Sequence, residues 1–452
     1  SYWNDTAPTS TDFTLGGSSV TNGSGTTYVA YLFAHNDDDG EFGPDADLDV
    51  IKCGSYTGNG NTIGPKIDLG WEPQWVLIKR ANATGPWLIF DNMRNFTISG
   101  YKYLQPHLTS AEAGSDTVRA FDPLSNGFQP RSAGTNWNAS GGNYIYIAIR
   151  RGQMGTPTSA DDVFHVEEKT NPNSFVTSDF VTDFAWHKKK EATDGHYAFT
   201  RLTGAPKYLQ LNSNVVQATV SSTAYYTTFD HMDGVDFNIY GSQSNDTIFY
   251  MFKRARGFFD VVYYRGDGSY GQTPHNLGVA PQLMISRGLS NTYGFHVVHT
   301  LASSDNASKL DSTSFGSTYS SISNFTATHF PKMLSYSGED HIAYLFTSLD
   351  GVSKVGTYTG TGASQTIDCG FSAGARFVLI KCTTQNSTDW LLFDSVRGIT
   401  TAVNPHLKLS STAAQVSQDA NDIEPDNSGF IVNSANNTNN GNGETYIFYA
   451  IA

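Results

Sequence analysis

The chain is poor in charge. Charged residues make up 15% of its 452 positions, and no stretch sustains the 3.6-residue apolar period of an amphipathic helix. No apolar run approaches the roughly 20 residues that cross a bilayer, so no membrane insertion is expected. Basic residues are in deficit too: 28 Lys and Arg against 42 Asp and Glu leave a formal net charge of -14. Binding to nucleic acid or to an anionic membrane needs cationic side chains that neutralise phosphates, so neither is an expected partner. Such a surface suits an extracellular or particle-borne protein. Cys53, Cys369 and Cys382 cannot all pair within one chain, and none lies in a C-x-x-C motif. They read as buried small residues ahead of a disulfide or a metal site. No basic-plus-apolar leader and no initiator Met are visible. Asn-x-Ser/Thr sequons, among them Asn82, Asn138 and Asn306, follow from a composition rich in those residues and matter only where the source glycosylates.

What is abundant is Gly (43), Phe (28) and Tyr (24). That profile predicts an all-β protein of short strands and polar turns. Two glycine runs, "IKCGSYTGNG" at 51–60 and "SKVGTYTGTG" at 353–362, look at first like phosphate cradles. Neither carries the Lys-Ser/Thr of a P-loop, and the residues after the first read as strand and turn rather than helix. Tight turns that need positive φ are the expectation.

The two runs belong to a duplication. "WVLIK" at 75–79 answers "FVLIK" at 377–381, "WLIFD" at 87–91 answers "WLLFD" at 390–394, and "PHL" recurs at Pro106 and Pro405. A shared closing strand occurs five times, as "YVAYLF" at Tyr28, "YIYIAI" at Tyr144, "TIFYMF" at Thr247, "HIAYLF" at His341 and "YIFYAI" at Tyr446. The expected architecture is a tandem of β-sandwich or jelly-roll repeats of about 100 residues, since a parallel sheet would need intervening helices. Residues 1–47 form the end of an incomplete repeat plus an acidic linker, and 48–155 a β-sandwich repeat. Residues 156–257 and 258–349 form two diverged repeats, and 350–452 the last. The opening segment aligns with the end of a unit, so either the polypeptide is longer upstream or its leading strands complete another unit's sheet. The Asp350-Gly351 link is tight enough that neighbouring units are expected to share a sheet.

The segments "FAHNDDDGEFGPDADLDVIKCGSYTGNG" at 33–60, "LGWEPQWVLIKR" at 69–80 and "YIYIAIRRGQM" at 144–154 resemble a repeat family of unassigned function. That family is found in virion structural and tail-fibre-like proteins of marine and other aquatic bacteriophages, and is described as concanavalin-A-like in fold. The resemblance covers about residues 1–155 and 350–452, and extends loosely to the middle repeats. It implies a place on a phage particle and supplies no catalytic residues.

The most site-like segment is the acidic loop at 36–49. Asp37, Asp39, Glu41, Asp45 and Asp47 could supply oxygens to calcium, the one candidate cofactor. The alternative is a solvated hairpin turn, because Leu48 stands where an EF-hand needs Glu. No E-x-D-x-x-E, G-x-S-x-G or H-E-x-x-H is present, so no enzyme activity is expected. His296 and His299 lie at odd strand spacing and should face opposite ways. Asp91/Arg94 and Asp394/Arg397 read as structural ion pairs. Trp87 and Trp390 read as core, whereas Trp137 in "GTNWNASGG" is the candidate glycan-binding aromatic.

Two functional expectations follow. One is a non-enzymatic structural protein of a phage tail fibre, appendage or other virion surface, outside the cell, forming a homo-oligomer, by analogy a trimer, with other virion proteins as partners. The other is a lectin-like module for host surface glycans, assisted by calcium.

Overall fold

A computed structural model describes the chain except residues 1, 3, 34, 36–47, 95, 116–117, 153, 170–173, 205–206, 221–225, 239–245, 270, 302–305, 315–316, 319–323, 334–336, 402–403 and 418–422. The chain divides into two compact units, 1–53 and 54–452, with the division inside the strand Ile51–Thr57.

In the first unit a single helical turn, Ser19–Asn22, is capped by the Ser18 hydroxyl. The Tyr28 hydroxyl donates to the Ser19 carbonyl and accepts from Gly23 N. The expected closing strand at 28–33 is not a strand here, and Val29, Tyr31 and Leu32 are exposed. A closing strand needs a hydrogen-bonded neighbour on each edge, and the described residues of 1–27 form no strand.

The second unit is built of strands, and the strand pairings whose register is described are antiparallel. Four times over, a large sheet begins with the same order. In the first repeat this is Ile51–Thr57, Asn143–Arg150, Pro73–Arg80 and Trp87–Asp91, and in the fourth Ser353–Thr359, Thr445–Ile451, Phe377–Cys382 and Leu391–Asp394. The second repeat uses Phe164–Lys169, Thr247–Phe252, Phe184–Lys189 and Tyr197–Thr200. The third uses Phe259–Arg265, Asp340–Phe346, Leu283–Gly288 and Phe295–His299. The closing strand lies inside each sheet with both edges paired. Among the described residues no sheet combines strands of two repeats, contrary to the sequence expectation, because the strand that ends each repeat is paired on both edges within its own repeat.

A smaller sheet of the same repeat covers one face of each large sheet, which makes the architecture a tandem of β-sandwiches. In the fourth repeat, Val378, Ile380, Phe448 and Ala450 pack against Ile367, Ile423 and Phe430 of the small sheet. In the second, Ala185, Phe199, Phe249 and Met251 pack against Val176, Val235 and Phe237.

The alternate residues of the second, third and fourth repeats point the other way, into one common core. Phe184, Trp186, Tyr250, Phe252, Tyr344, Phe346, Phe377 and Tyr449 all belong to it. Each pair of repeats touches there: Phe184 meets Tyr344 with ring centroids 4.7 Å apart, Phe164 meets Phe377 at 5.4 Å, and Phe346 meets Tyr449 at 5.0 Å. Three sheets thus face inward around one axis. That explains why the closing strands of these repeats are apolar at nearly every position, since strand residues alternate between faces and both faces are buried. Among the described residues no helix is long and apolar enough to cross a membrane.

The repeated glycines have steric causes. A Cβ on Gly54 would meet the Tyr146 hydroxyl at 2.4 Å and its ring at 2.5 Å, and one on Gly356 the Phe448 ring at 2.4 Å. Gly60 and Gly362 have φ of +69° and +66°, which L side chains rarely adopt. The "PHL" match is displaced: Pro106 follows the paired Leu104 by two residues, whereas Pro405 precedes the paired Leu407 by two. The three thiols are free, with Cys369 and Cys382 buried.

Two predictions come from this core. Phe377, 1% exposed and in ring contact with the second repeat at Phe164, Trp186, Tyr250 and Phe252, should cost about 3–5 kcal/mol when truncated to Ala. Urea unfolding followed by circular dichroism and by Trp fluorescence should shift together. Burial also draws His196 down to about 3 and His296 and His299 down to about 4. Each stays neutral in the fold while its unfolded counterpart protonates below about pH 6.5, so stability falls as pH drops from there toward 4, by about 1.4 kcal/mol per unit for each group. The urea midpoint at pH 5 should lie clearly below that at pH 7.

Candidate functional site

The acidic loop lies outside the described residues, so Asp37, Asp39, Glu41, Asp45 and Asp47 have no structural account. Among the described residues no group of three His, Cys, Asp or Glu side chains converges as a metal site would.

Trp137 is described, and its expected exposure is corrected. The residue is 8% exposed, its Nε1 donates to the Ser132 hydroxyl at 2.9 Å, and Phe90, Tyr101 and Phe121 pack around its ring. The loop is drawn inward by two tyrosines. Tyr56 donates to the Trp137 carbonyl, and Tyr144 donates to the Thr135 carbonyl while accepting from Ala139 N. Asn138 is fully buried and bonds Asn59 and Asn61 through its amide, so the sequon there offers no nitrogen to a glycan. The fourth repeat builds the same loop, with Asn440 binding Thr361 N and the Ala363 carbonyl.

The other residues singled out fall into packing roles. Arg397 Nε bonds Asp394 Oδ2 at 2.6 Å, and Asp394 accepts the Tyr250 hydroxyl of the second repeat at 2.7 Å. Arg94 and Asp91 form the equivalent pair at 2.7 Å, with Arg94 39% exposed. Trp390 is buried and donates to the Lys309 carbonyl of the third repeat.

Charged side chains concentrate where the first repeat meets the second and third. Between the first and second repeats a cleft of about 960 Å³ is lined by Arg151, Asp161, Asp183, Arg201, Lys253 and Arg254, among others. Asp183 Oδ1 accepts from Arg151 at 2.7 Å and Oδ2 from Arg254 N at 2.8 Å. Arg254 grips Glu72 with both terminal nitrogens, at 2.9 and 2.7 Å, and Asp260 with Nε at 2.6 Å. Burial alone would raise Asp183 and Glu72, but the surrounding arginines hold both below the usual carboxylate range. An ionised, doubly bound carboxylate is a poor proton acceptor, so this seam binds repeats together better than it moves protons. A second cluster joins the first and third repeats. Arg119 binds both Asp122 and Asp340, and the Tyr263 hydroxyl sits 2.9 Å from one carboxylate and 2.7 Å from the other.

Residues 1–151 and 252–452 match the domain of unknown function DUF7483. The chain belongs to that family. The DUF7483 match leaves out residues 152–251, yet the second repeat has the same strand order as the others. No curated protein matches the chain.

One feature of this DUF7483 chain escaped the reading of its sequence. The fifth residue of the third strand is a cation in each inward-facing repeat: Lys188, Arg287 and Lys381, all buried. Each donates to a backbone carbonyl of another repeat. Lys188 reaches Thr412 O at 3.2 Å, Arg287 reaches Asn214 O at 2.9 Å, and Lys381 reaches Thr313 O at 2.8 Å. The second repeat thus donates to the fourth, the fourth to the third, and the third to the second, closing a ring. Lys188 and Arg287 also bind carbonyls of their own hairpins, Ala192 and Asp194 for one, Asn291 and Gly294 for the other. Burial draws Lys188 and Lys381 down to about 8. The signal in the sequence was a Lys or Arg recurring at the same position of the third strand, in "FAWHKK", "LMISRG" and "FVLIKC".

Replacing Arg254 by Met should leave Glu72 and Asp260 buried without their partner and cost about 3–5 kcal/mol. Urea denaturation and faster tryptic cleavage near residues 151–157 would report it.

Proposed function

We propose that this DUF7483 protein is a non-enzymatic structural component of a phage virion, built into a tail fibre, appendage or other surface-exposed assembly outside the cell. The observation that carries this reading is the shared core: three sandwiches consume both faces of their large sheets in packing, and charged side chains at the seams are spent on each other. Repeats packed in this way join several sandwiches within residues 54–452, which suits a mechanical element. The resemblance of residues 1–155 and 350–452 to virion and tail-fibre-like repeats supports the location, with other virion proteins as partners. The lectin reading loses its aromatic contact with the burial of Trp137, and what remains to it is calcium at the acidic loop.

Electron microscopy of intact particles from the source should show density for this chain as a symmetric, repeated surface component. Its absence from purified particles, with the protein recovered only in the free fraction, would reject the proposal.

A further inference from the structure

The first repeat carries an inward-type face whose apolar residues belong to none of the hydrophobic clusters described. Its strand register matches the fourth repeat residue for residue: Trp75 and Asp91 pair as Phe377 and Asp394 do, and Ile147 lies opposite Leu77 as Tyr449 lies opposite Leu379. In the fourth repeat Phe377, Leu379, Leu392, Ile447, Tyr449 and Ile451 are at most 5% exposed, all in the shared core. Their counterparts Trp75, Leu77, Ile89, Ile145, Ile147 and Ile149 are as apolar, yet none is buried and Ile145 is 42% exposed. The opposite face of the same sheet, with Val76, Ile78, Tyr146 and Ala148, is buried as usual. A contiguous apolar sheet face that is only half-buried, with Ile145 exposed, marks an interaction surface.

The cation is present as well. Lys79 occupies the position of Lys188, Arg287 and Lys381, and donates only to the adjacent Arg80 carbonyl, at 2.9 Å, among the contacts described for it. The acceptor position can also be located. In the ring, the accepting carbonyl lies five residues beyond the residue paired with the middle of the fourth strand: Leu209 and Asn214, Ser308 and Thr313, Leu407 and Thr412. The corresponding bridge in the first repeat is Ile89 to Leu104, which places the acceptor at Thr109, in an exposed loop.

We propose that this face docks against the first repeats of two further copies of the same chain, forming a homotrimer in which Lys79 of each copy donates to the Thr109 carbonyl of the next. The three inward-facing repeats are the template for the contact: the same sheet, the same apolar positions and the same cation already close a three-membered ring within one chain. The occupant that matches this face in shape and polarity is two more of itself. The proposal rests on the reading that the protein works by assembly, and it names the surface and the number of copies.

The test is the mass of the full chain in solution, by light scattering behind size-exclusion chromatography at about 10 µM. The expected species is three times 49.2 kDa. Ile145→Glu should convert it entirely to the single-chain mass with an unchanged circular dichroism spectrum, whereas Val396→Glu, at an exposed position elsewhere, should leave it intact. Lys79→Met should raise the trimer dissociation constant at least tenfold. A monomer or dimer of the native chain overturns the proposal, and so does a trimer indifferent to Ile145→Glu. A monomer that nonetheless appears in particle density would reject the trimer and leave the virion reading standing.

Discussion

The fold depends on large sheets that are apolar on both faces. A strand alternates its side chains between two faces, so a sheet that is polar on one face needs one cover and a doubly apolar sheet needs two. The small sheet of each repeat provides the first cover locally. The second must come from another sandwich, and burying each large side chain there is worth about 1.5–3 kcal/mol. Three sheets facing one axis cover one another but enclose a wider space than the ~10 Å gap between two stacked sheets. Large rings fill that space, namely Phe184, Trp186, Tyr250, Tyr344, Phe377 and Tyr449. Part of the aromatic richness of the sequence is thus spent on filling the space between three sheets.

Much of this architecture was legible in the amino-acid sequence. Strand identity, antiparallel class and the repeat itself follow from closing strands such as "TIFYMF" and "YIFYAI", and from glycines whose Cβ would strike the Tyr146 or Phe448 ring. A run apolar at every position announces burial on both faces, but says nothing about what covers the second face, and so the common core was not foreseen. The segment at 28–33 has the composition of a central strand but pairs with no strand among the described residues, which no local propensity reveals. Trp137 sits among Gly and Asn, as an exposed turn residue would. Bonds from Tyr56 and Tyr144 draw its loop inward, and the Tyr56 pairing, separated by 81 positions, does not show in local sequence. The displaced "PHL" shows the same limit: identity of letters located a loop but not its register.

Buried cations are the least expected element of the core, because moving an ammonium or guanidinium out of water costs several kcal/mol before any compensation. Compensation here comes from main-chain carbonyls, which neither titrate nor rotate away. Lys188 has three, and Arg287 has Asn214, Val215, Asn291 and Gly294. Apolar packing is non-directional, so three greasy sheets could slide along one another or exchange neighbours at little cost. A cation that must find one particular loop on one particular neighbour removes that freedom. Each repeat gives a cation to one neighbour and offers a carbonyl to the other, so the ring has a direction as well as a register. An apolar substitute would leave the loop carbonyls at 214, 313 and 412 without that donor. The cation thus fixes how sandwiches of this kind meet, which is why its place in an otherwise apolar strand is informative wherever it recurs.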